Sequence, residues 1–311
     1  MAEILGIHHM SAISGAAQEN INFYSGVLGL RLVKVTVNFD DPTAYHFYYG
    51  DGIGTPGTVL TFFPYPAGYP GRPGKHQATV TALTIPRESV SFWVDRLKHN
   101  EIEFDKPHNR EGGQYIGLRA PDGLQLELSA YGDYEPSVPT FNSFIPQNFA
   151  IGQIRAVTLV ESELEPTARF LVDILGFQSL GERDHRHRFQ MGAAIFDVII
   201  DEKAPEGRGG HGSVHHIALR VRTEEEQLEY RNRLIEAGVQ VSAVMDRTYF
   251  KSIYFKEPGG VLFEIATDGP GFTVDETADE LGSSLKLPPQ FEDFRLKIAR
   301  QLPPVDLRKG K

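Results

Sequence analysis

Apolar residues along this chain alternate between two periods, and the order of the periods repeats. Residues 4–13 read as a strand, an almost continuous apolar run that contains His8 and His9. Ile21, Tyr24, Val27 and Leu28 then recur at helical spacing, so a short helix is expected over 15–28, and Gly29 stands where a helix stops. Strand-like stretches follow at 31–38, 45–49 and 57–63, before Pro64-Tyr65-Pro66 and the Gly/Pro-rich 68–74 break the pattern. The first unit is therefore strand, helix, three strands. A second unit has a strand at 77–85, a helix at 89–100 and strands at 115–119 and 124–130. A third opens with a strand at 154–161 and a helix at 166–175, and a fourth with a strand at 214–221 and a helix at 224–237.

Residue matches argue that the halves are a tandem duplication. Phe23-x-x-x-Val27-Leu28-Gly29-Leu30 resembles Phe170-x-x-x-Ile174-Leu175-Gly176-Phe177. Pro121-Asp122-Gly123-Leu124-Gln125-Leu126-Glu127 resembles Pro258-Gly259-Gly260-Val261-Leu262-Phe263-Glu264, and Arg96-Leu97 matches Arg233-Leu234. The expected fold class is α+β, with four βαβββ units in two tandem domains. The boundaries are 1–134 and 151–270, joined by a polar, Pro-containing linker at 135–150. After Asp268 the periodicity stops, and 271–311 is expected to be a C-terminal arm with a short helix over 292–301 that packs on one domain.

Composition narrows the chemistry. The 311 residues include no cysteine, which excludes disulfides, thiolate-ligated zinc, iron–sulfur clusters and a Cys nucleophile. Net charge is −10 with no run of Lys or Arg, so neither nucleic acid nor an anionic membrane is an expected partner. Residues 1–7 lack a basic region and no apolar stretch is long enough to span a bilayer, so a cytoplasmic location is expected.

Two His pairs stand out. Gly6-Ile7-His8-His9-Met10-Ser11 aligns with Ser213-Val214-His215-His216-Ile217-Ala218, at the openings of units one and four. The matching strands of units two and three read Ala78-Thr79-Val80 and Arg155-Ala156-Val157. Neighbouring residues on a strand point to opposite faces, so at most one His of each pair can serve one metal. If units one and four face each other, one His from each can converge with Glu264, which sits in the apolar run 261–265. Two imidazoles and a carboxylate suit Fe(II), Mn(II) or Zn(II) and leave coordination positions open. A lone strand His is ordinarily a hydrogen-bonded core residue. Matched pairs at equivalent positions, and a carboxylate that would be costly to bury alone, favour the metal.

Other constellations carry less. Glu127 holds the place of Glu264 in unit two with no His opposite, and reads as a relic or a solvent-facing residue. Asp184-His185-Arg186-His187-Arg188 reads as a polar strand or turn with its charges in solvent, and Gly207-Arg208-Gly209-Gly210-His211-Gly212 as a flexible connector, since it lacks the Lys-Ser/Thr of a phosphate cradle. Tyr254, ten residues before Glu264 across the turn Pro258-Gly259-Gly260, is expected on the neighbouring hairpin strand, with Arg247 and Tyr249 just before it.

At these residues the chain resembles the vicinal-oxygen-chelate proteins, the superfamily of glyoxalases, bleomycin-resistance proteins and extradiol dioxygenases. Within it, the chain is similar to the bacterial hydroquinone ring-cleaving dioxygenases. The likeness rests on Leu5-Gly6-Ile7-His8-His9, Gly54-Thr55-Pro56-Gly57-Thr58-Val59, Arg186-His187-Arg188, Val214-His215-His216, the stretch 258–264 and Pro289-Gln290-Phe291, and so spans essentially the whole chain. It implies the vicinal-oxygen-chelate fold, with Fe(II) on His9, His216 and Glu264. It implies His8 as an acid/base or hydrogen-bonding group beside the ligand, and Arg247 and Tyr254 as contacts to substrate oxygens. Ser11 stands where relatives carry Thr, as a further substrate contact. The implied substrates are a small aromatic diphenol and O2, in catabolism or detoxification, with a homo-oligomer allowed. Catechol extradiol enzymes take their first His ligand from unit three, where this chain has Ala156. The alternatives are a glyoxalase or thiol-transferase type of metal enzyme, and a metal-free protein that binds aromatic compounds. The former would want a fourth protein ligand, and the run Thr58-Val59-Leu60-Thr61-Phe62-Phe63 offers no carboxylate.

Overall fold

The computed structural model describes residues 2–110, 112–132, 134 and 145–307. Its first unit contains β1 (Ile7–Ser14), α1 (Ala17–Ile21) continued as a wider π-type turn over Asn22–Val27, β2 (Arg31–Val37), β3 (Tyr45–Gly50) and β4 (Val59–Pro64). Gly29 follows the helix with φ +71°, a left-handed conformation that glycine adopts without a Cβ penalty. The second unit contains β5 (Gln77–Thr84), α2 (Val90–His99), β6 (His108–Arg110), β7 (Gly113–Arg119) and β8 (Gln125–Ala130). The third contains β9 (Ile154–Glu161), α3 (Glu165–Arg169, continued over Phe170–Ile174), β10 (Gln178–Arg183), β11 (Arg186–Met191) and β12 (Ala194–Ile200). The fourth contains β13 (Ser213–Val221), α4 (Glu224–Glu236), β14 (Met245–Asp246), β15 (Lys251–Lys256) and β16 (Leu262–Thr267).

These strands form two curled eight-stranded sheets, each taking one unit from either half of the chain. One runs β14-β15-β16-β13-β1-β4-β3-β2 and the other β10-β11-β12-β9-β5-β8-β7-β6. Units one and four therefore do face each other, joined by the antiparallel pair β1–β13, and units two and three are joined in the same way by β5–β9. The fold is the α+β vicinal-oxygen-chelate arrangement expected.

The duplicated motifs have duplicated jobs. Arg96 on α2 donates from Nε to Val27 O at 2.6 Å and from Nη2 to Gly26 O at 2.6 Å, closing the open carbonyl end of the first helix. Arg233 on α4 donates in the same way to Ile174 O, at 3.4 Å. Strands β2, β3 and β4 are buried along their whole length.

Most of the linker expected at 135–150 lies outside the described residues. Its last part is packed: Ile145 is buried against Gly29, and Trp93 Nε1 donates to Phe149 O at 3.0 Å. The glycine-rich 207–212 is not a loose connector. Arg208 and Arg72 exchange both backbone hydrogen bonds at 2.9 Å, so the two inter-unit crossovers pair with each other. The arm lies along β2, where Lys286 N donates to Val35 O at 2.8 Å. This covers an edge strand that would otherwise present unpaired backbone groups. The arm's helical segment is a 3₁₀ turn over Pro289–Phe294 followed by α5 (Arg295–Gln301). No helix among the described residues is long and apolar enough to cross a membrane.

Candidate metal centre

The register of three adjacent strands builds the site. β1 and β13 run antiparallel with Ser11 opposite His216 and His9 opposite Ala218, which turns the His9 and His216 rings to the same face. β16 runs parallel to β13 with Glu264 beside Ala218. His9 Nε2 lies 3.3 Å from His216 Nε2 and 3.4 Å from Glu264 Oε2, and His216 Nε2 lies 2.9 Å from the same oxygen. Ligand atoms ~2.1 Å from one ion and at right angles about it lie about 3 Å apart, so these three can share one divalent cation. They are the one group of three or more such side chains among the described residues that converges in this way.

Two further observations favour a cation. Glu264 is fully buried; its Oε1 accepts from Ser252 Oγ at 2.5 Å, and its Oε2 faces only the His9 and His216 Nε2 atoms. A buried carboxylate oxygen left bare is costly unless a positive group faces it. Burial pushes the Glu264 carboxyl up, but His9 and His216 outweigh it and hold the group well below the usual carboxylate range. Burial meanwhile lowers His216, which favours a neutral imidazole. A divalent ion satisfies the carboxylate and the two neutral rings together. Secondly, His8 Nδ1 is 2.9 Å from His9 Nδ1, and His215 Nδ1 is 2.8 Å from His216 Nδ1. With the shared proton on the ligand ring's Nδ1, each Nε2 turns a bare lone pair toward the centre.

The centre opens into a cavity of about 500 Å³. Ile13, Phe39, Phe63, Phe250 and Leu262 make its apolar walls, and Tyr254, Arg247, His215, His46 and Tyr48 its polar ones. That volume and lining suit a single substituted ring. Tyr254 is the cross-strand partner of Glu264, as the hairpin reading expects. Its hydroxyl is 3.3 Å from Arg247 Nε, and Arg247 Nη2 reaches Asp40 at 3.2 Å. Burial and the Glu264 charge push the Tyr254 phenol well above its usual value, so it stays neutral.

His8 lies beside the ligand as a hydrogen-bonding group, as expected, and Ser11 is not at the substrate contact expected of it. Neither borders the cavity. Burial, with His9 beside it, lowers His8 to about 3; its Nδ1 orients His9, and its ring packs against Phe250 with centroids 5.0 Å apart. Ser11 Oγ is 2.6 Å from Thr61 Oγ1, behind the cavity wall. Sequence reasoning did not pick out His46, Tyr48, or His215 as a cavity residue. The usable signal was the repeat: Tyr48 lies opposite Thr61 as Tyr254 lies opposite Glu264.

The second sheet carries the same framework without the ligands. Ala156 and Val80 stand where His9 and His216 stand, respectively, as the β12–β9 and β5–β8 registers show. Glu127 is not solvent-facing: it is buried and bonded by Arg110 at 3.0 and 2.7 Å. Nor do all the charges of 184–188 point into solvent. Asp184 and His185 make the turn, but Arg188 is paired with buried Asp197 at 2.7 Å and Arg186 donates to Thr158 at 3.0 Å. The carboxylates need cations here as they do in the first sheet, and arginines supply them.

Fold and site together define a metal-dependent class. The chain belongs to the glyoxalase/bleomycin resistance protein/dioxygenase superfamily, whose family model matches residues 6–128 and 153–265. Its relatives include a Bacillus subtilis protein named as a ring-cleaving dioxygenase, MhqO, 42% identical over 98% of this chain and 97% of that one. Another is the chlorohydroquinone/hydroquinone 1,2-dioxygenase of Sphingobium indicum, 31% identical over 96% and 95%. The crystal structure of a Bacillus subtilis protein described as a dioxygenase superposes with a TM-score of 0.94, at 38% identity and over 99% of both chains. Maize glyoxalase I, at 14% identity and a TM-score of 0.63 over 85% of this chain and 92% of that one, shares the fold alone.

Proposed function

We propose that this chain is an Fe(II)-dependent, extradiol-type ring-cleaving dioxygenase that inserts O2 into a hydroquinone-type diphenol. The observation that carries the reading is the convergence of His9, His216 and Glu264 at the floor of a ring-sized cavity, in a chain whose relatives are named for ring cleavage. Divalent iron held there would supply the electron path between an electron-rich ring and O2, which do not react readily unaided. The chain's own residues do the rest. Phe63 and Phe250 border the ring's space and exclude water beside the centre. Arg247 faces a developing phenolate oxygen with a charge that does not titrate in the working range. Tyr254 offers a neutral hydroxyl to the oxygen across the ring. His215 borders the cavity with Nδ1 accepting from His216, which leaves its Nε2–H to donate a hydrogen bond to a substrate oxygen.

A glyoxalase-like reading wants a fourth ligand from unit one. The β1–β4 register puts Thr61 in that place, beside Ser11 as Glu264 lies beside Ala218, and a neutral hydroxyl is a poor substitute for a carboxylate. A metal-free binding protein needs only one ring proton between His216 and Glu264 Oε2, and gives no reason for His9 to converge on the same oxygen. The test is oxygen uptake by Fe(II)-loaded protein with a panel of hydroquinones and catechols. Hydroquinones are expected to turn over faster, at one O2 per ring opened. No uptake with any diphenol would end the dioxygenase reading, and faster turnover of catechols would end the hydroquinone assignment.

A further inference from the structure

Strand register makes the two walls of the cavity repeat-equivalent but chemically different. In unit four, Tyr254 lies opposite Glu264, and Ser252, two residues earlier, bonds the Glu264 carboxylate. In unit one, Tyr48 lies opposite Thr61, and His46, two residues earlier, places Nε2 2.9 Å from Thr61 Oγ1. So the unit-one wall holds a tyrosine in the same relation to a position that carries no metal ligand. His46 Nδ1 is 2.9 Å from the Tyr48 hydroxyl, and Ser11 Oγ lies beyond Thr61, 2.6 Å from its Oγ1. The result is a continuous buried relay: Tyr48, His46, Thr61, Ser11. His46 is clamped between the Tyr48 and Phe63 rings, whose centroids lie 4.1 and 4.2 Å away, so its plane is fixed.

Resting on the dioxygenase reading, we propose that Tyr48 is a specificity-determining residue: its hydroxyl, set by His46, hydrogen-bonds the substrate oxygen that approaches the triad from the ligand-free, unit-one side. The relay is suited to an oxygen that changes character. If Tyr48 donates to His46 Nδ1 and His46 Nε2–H donates to Thr61, Tyr48 turns a lone pair to the cavity and accepts from a phenol. If the chain of donors runs the other way, from Ser11 through Thr61 and His46, Tyr48 turns its O–H to the cavity and donates to a phenolate. Both arrangements keep every member neutral and every hydrogen bond made. Burial supports this, since it pushes the Tyr48 phenol well above its usual value and His46 well below its own, so neither competes as a charge with Arg247 on the opposite wall. The two walls then divide the work. Tyr48 reads the oxygen beside the triad, common to every phenol, and Tyr254 with Arg247 reads the second oxygen, present only in a diphenol.

The test is anaerobic calorimetry of Fe(II)-loaded wild type, Tyr48→Phe, His46→Leu, their double variant and Tyr254→Phe, with phenol and hydroquinone as probes and bound iron measured in each. Tyr48→Phe keeps the buried ring and removes one hydroxyl. It should weaken both probes by about threefold to tenfold at unchanged iron content. His46→Leu should weaken both by the same factor, and the double variant should be no worse than either single, because His46 acts through Tyr48. Tyr254→Phe should weaken hydroquinone alone. Unchanged affinity in Tyr48→Phe, or a loss confined to hydroquinone, overturns the assignment, and additive losses in the double variant overturn the role given to His46. Hydroquinone binding without oxygen uptake by wild type would sink the dioxygenase reading while these affinities still decide the role of Tyr48. Failure of wild type to bind either probe would overturn both.

Discussion

Glu264 is a demanding side chain, because a fully buried carboxylate is costly wherever an oxygen is left unmet. Ser252 meets Oε1, and a cation shared with His9 and His216 is what remains for Oε2. Glu264→Ala, His9→Ala or His216→Ala should each abolish stoichiometric metal binding, measured by metal analysis of anaerobically prepared protein. Ser252→Ala keeps all three ligands and should only weaken metal binding, by about 10- to 100-fold, as loss of a group that orients a ligand typically does. Full metal retention in Glu264→Ala would contradict the assignment. Tyr254 tests the substrate side of the same centre. A para-diphenol has an oxygen across the ring that needs a partner, and losing one hydrogen bond there is worth roughly 0.5–1.5 kcal/mol. Tyr254→Phe should therefore keep its metal and turn over hydroquinone about tenfold more slowly. A catechol should lose less, since both its oxygens can face the centre. Steady-state kinetics on both substrates decide it, and an equal loss for the two would remove Tyr254 from that role.

At the scale of elements, the same strand framework was used twice and kept its ligands once. Where the first sheet has His9, His216 and Glu264, the second has Ala156, Val80 and the carboxylates Glu127 and Asp197, neutralised by Arg110 and Arg188. Much of this was legible in the sequence. The His pairs at 8–9 and 215–216, the Pro-x-Gly turns before Glu127 and Glu264, and the helix-ending Gly29 and Gly176 each reflect a local backbone need that writes itself into residue type. What escaped was what depends on a cross-strand neighbour. β10 is exposed at every position and has no apolar alternation to announce it. Glu127 looked solvent-facing because Arg110, its partner, lies on another strand, and His46 looked ordinary because Thr61 and Tyr48 give it meaning only once β3 and β4 pair. The second sheet should accordingly be structural. Asp197 is 1% exposed, so Asp197→Ala removes a buried carboxylate that Arg188 binds and Arg186 approaches at 3.6 Å. It should destabilise folding by about 3–5 kcal/mol while leaving metal stoichiometry unchanged. Urea unfolding and metal analysis of one preparation test both halves of that statement.

For the whole molecule, the sheets must be held in register with each other, and one junction is ionisable. Glu161 ends β9 of the second sheet and lies against the turn that leads into β16 of the first. A Cβ added at Gly259 would fall 2.4 Å from its carboxylate, so any larger residue here would displace the Glu161 side chain. His76 Nδ1 sits 3.2 Å from Glu161 Oε2 and 2.6 Å from Gly259 O, its Nε2 lies 3.7 Å from Glu206, and Glu206 is paired with Lys75. Glu257, buried nearby, accepts from Thr167 and from the backbone of Gly259 and Val261. Burial, with the Glu257 charge adding to it, raises Glu161 from 4.5 to about 7 against the weaker opposing pull of His76. The folded chain therefore holds a proton that the unfolded chain has released, and holds it between about pH 4.5 and 7. Stability from this group is fully present below the unfolded value and is lost as pH rises through the folded one. Urea unfolding of wild type and Glu161→Gln across pH 4.5 to 8 isolates the junction, because titrations not coupled to Glu161 cancel in the difference. The variant should match wild type at the acid end and exceed it increasingly toward pH 8, where wild type carries two carboxylates at one junction. The difference curve reports Glu161 and Glu257 as a pair. Two parallel curves would mean that Glu161 ionises normally and that the junction is held by shape alone.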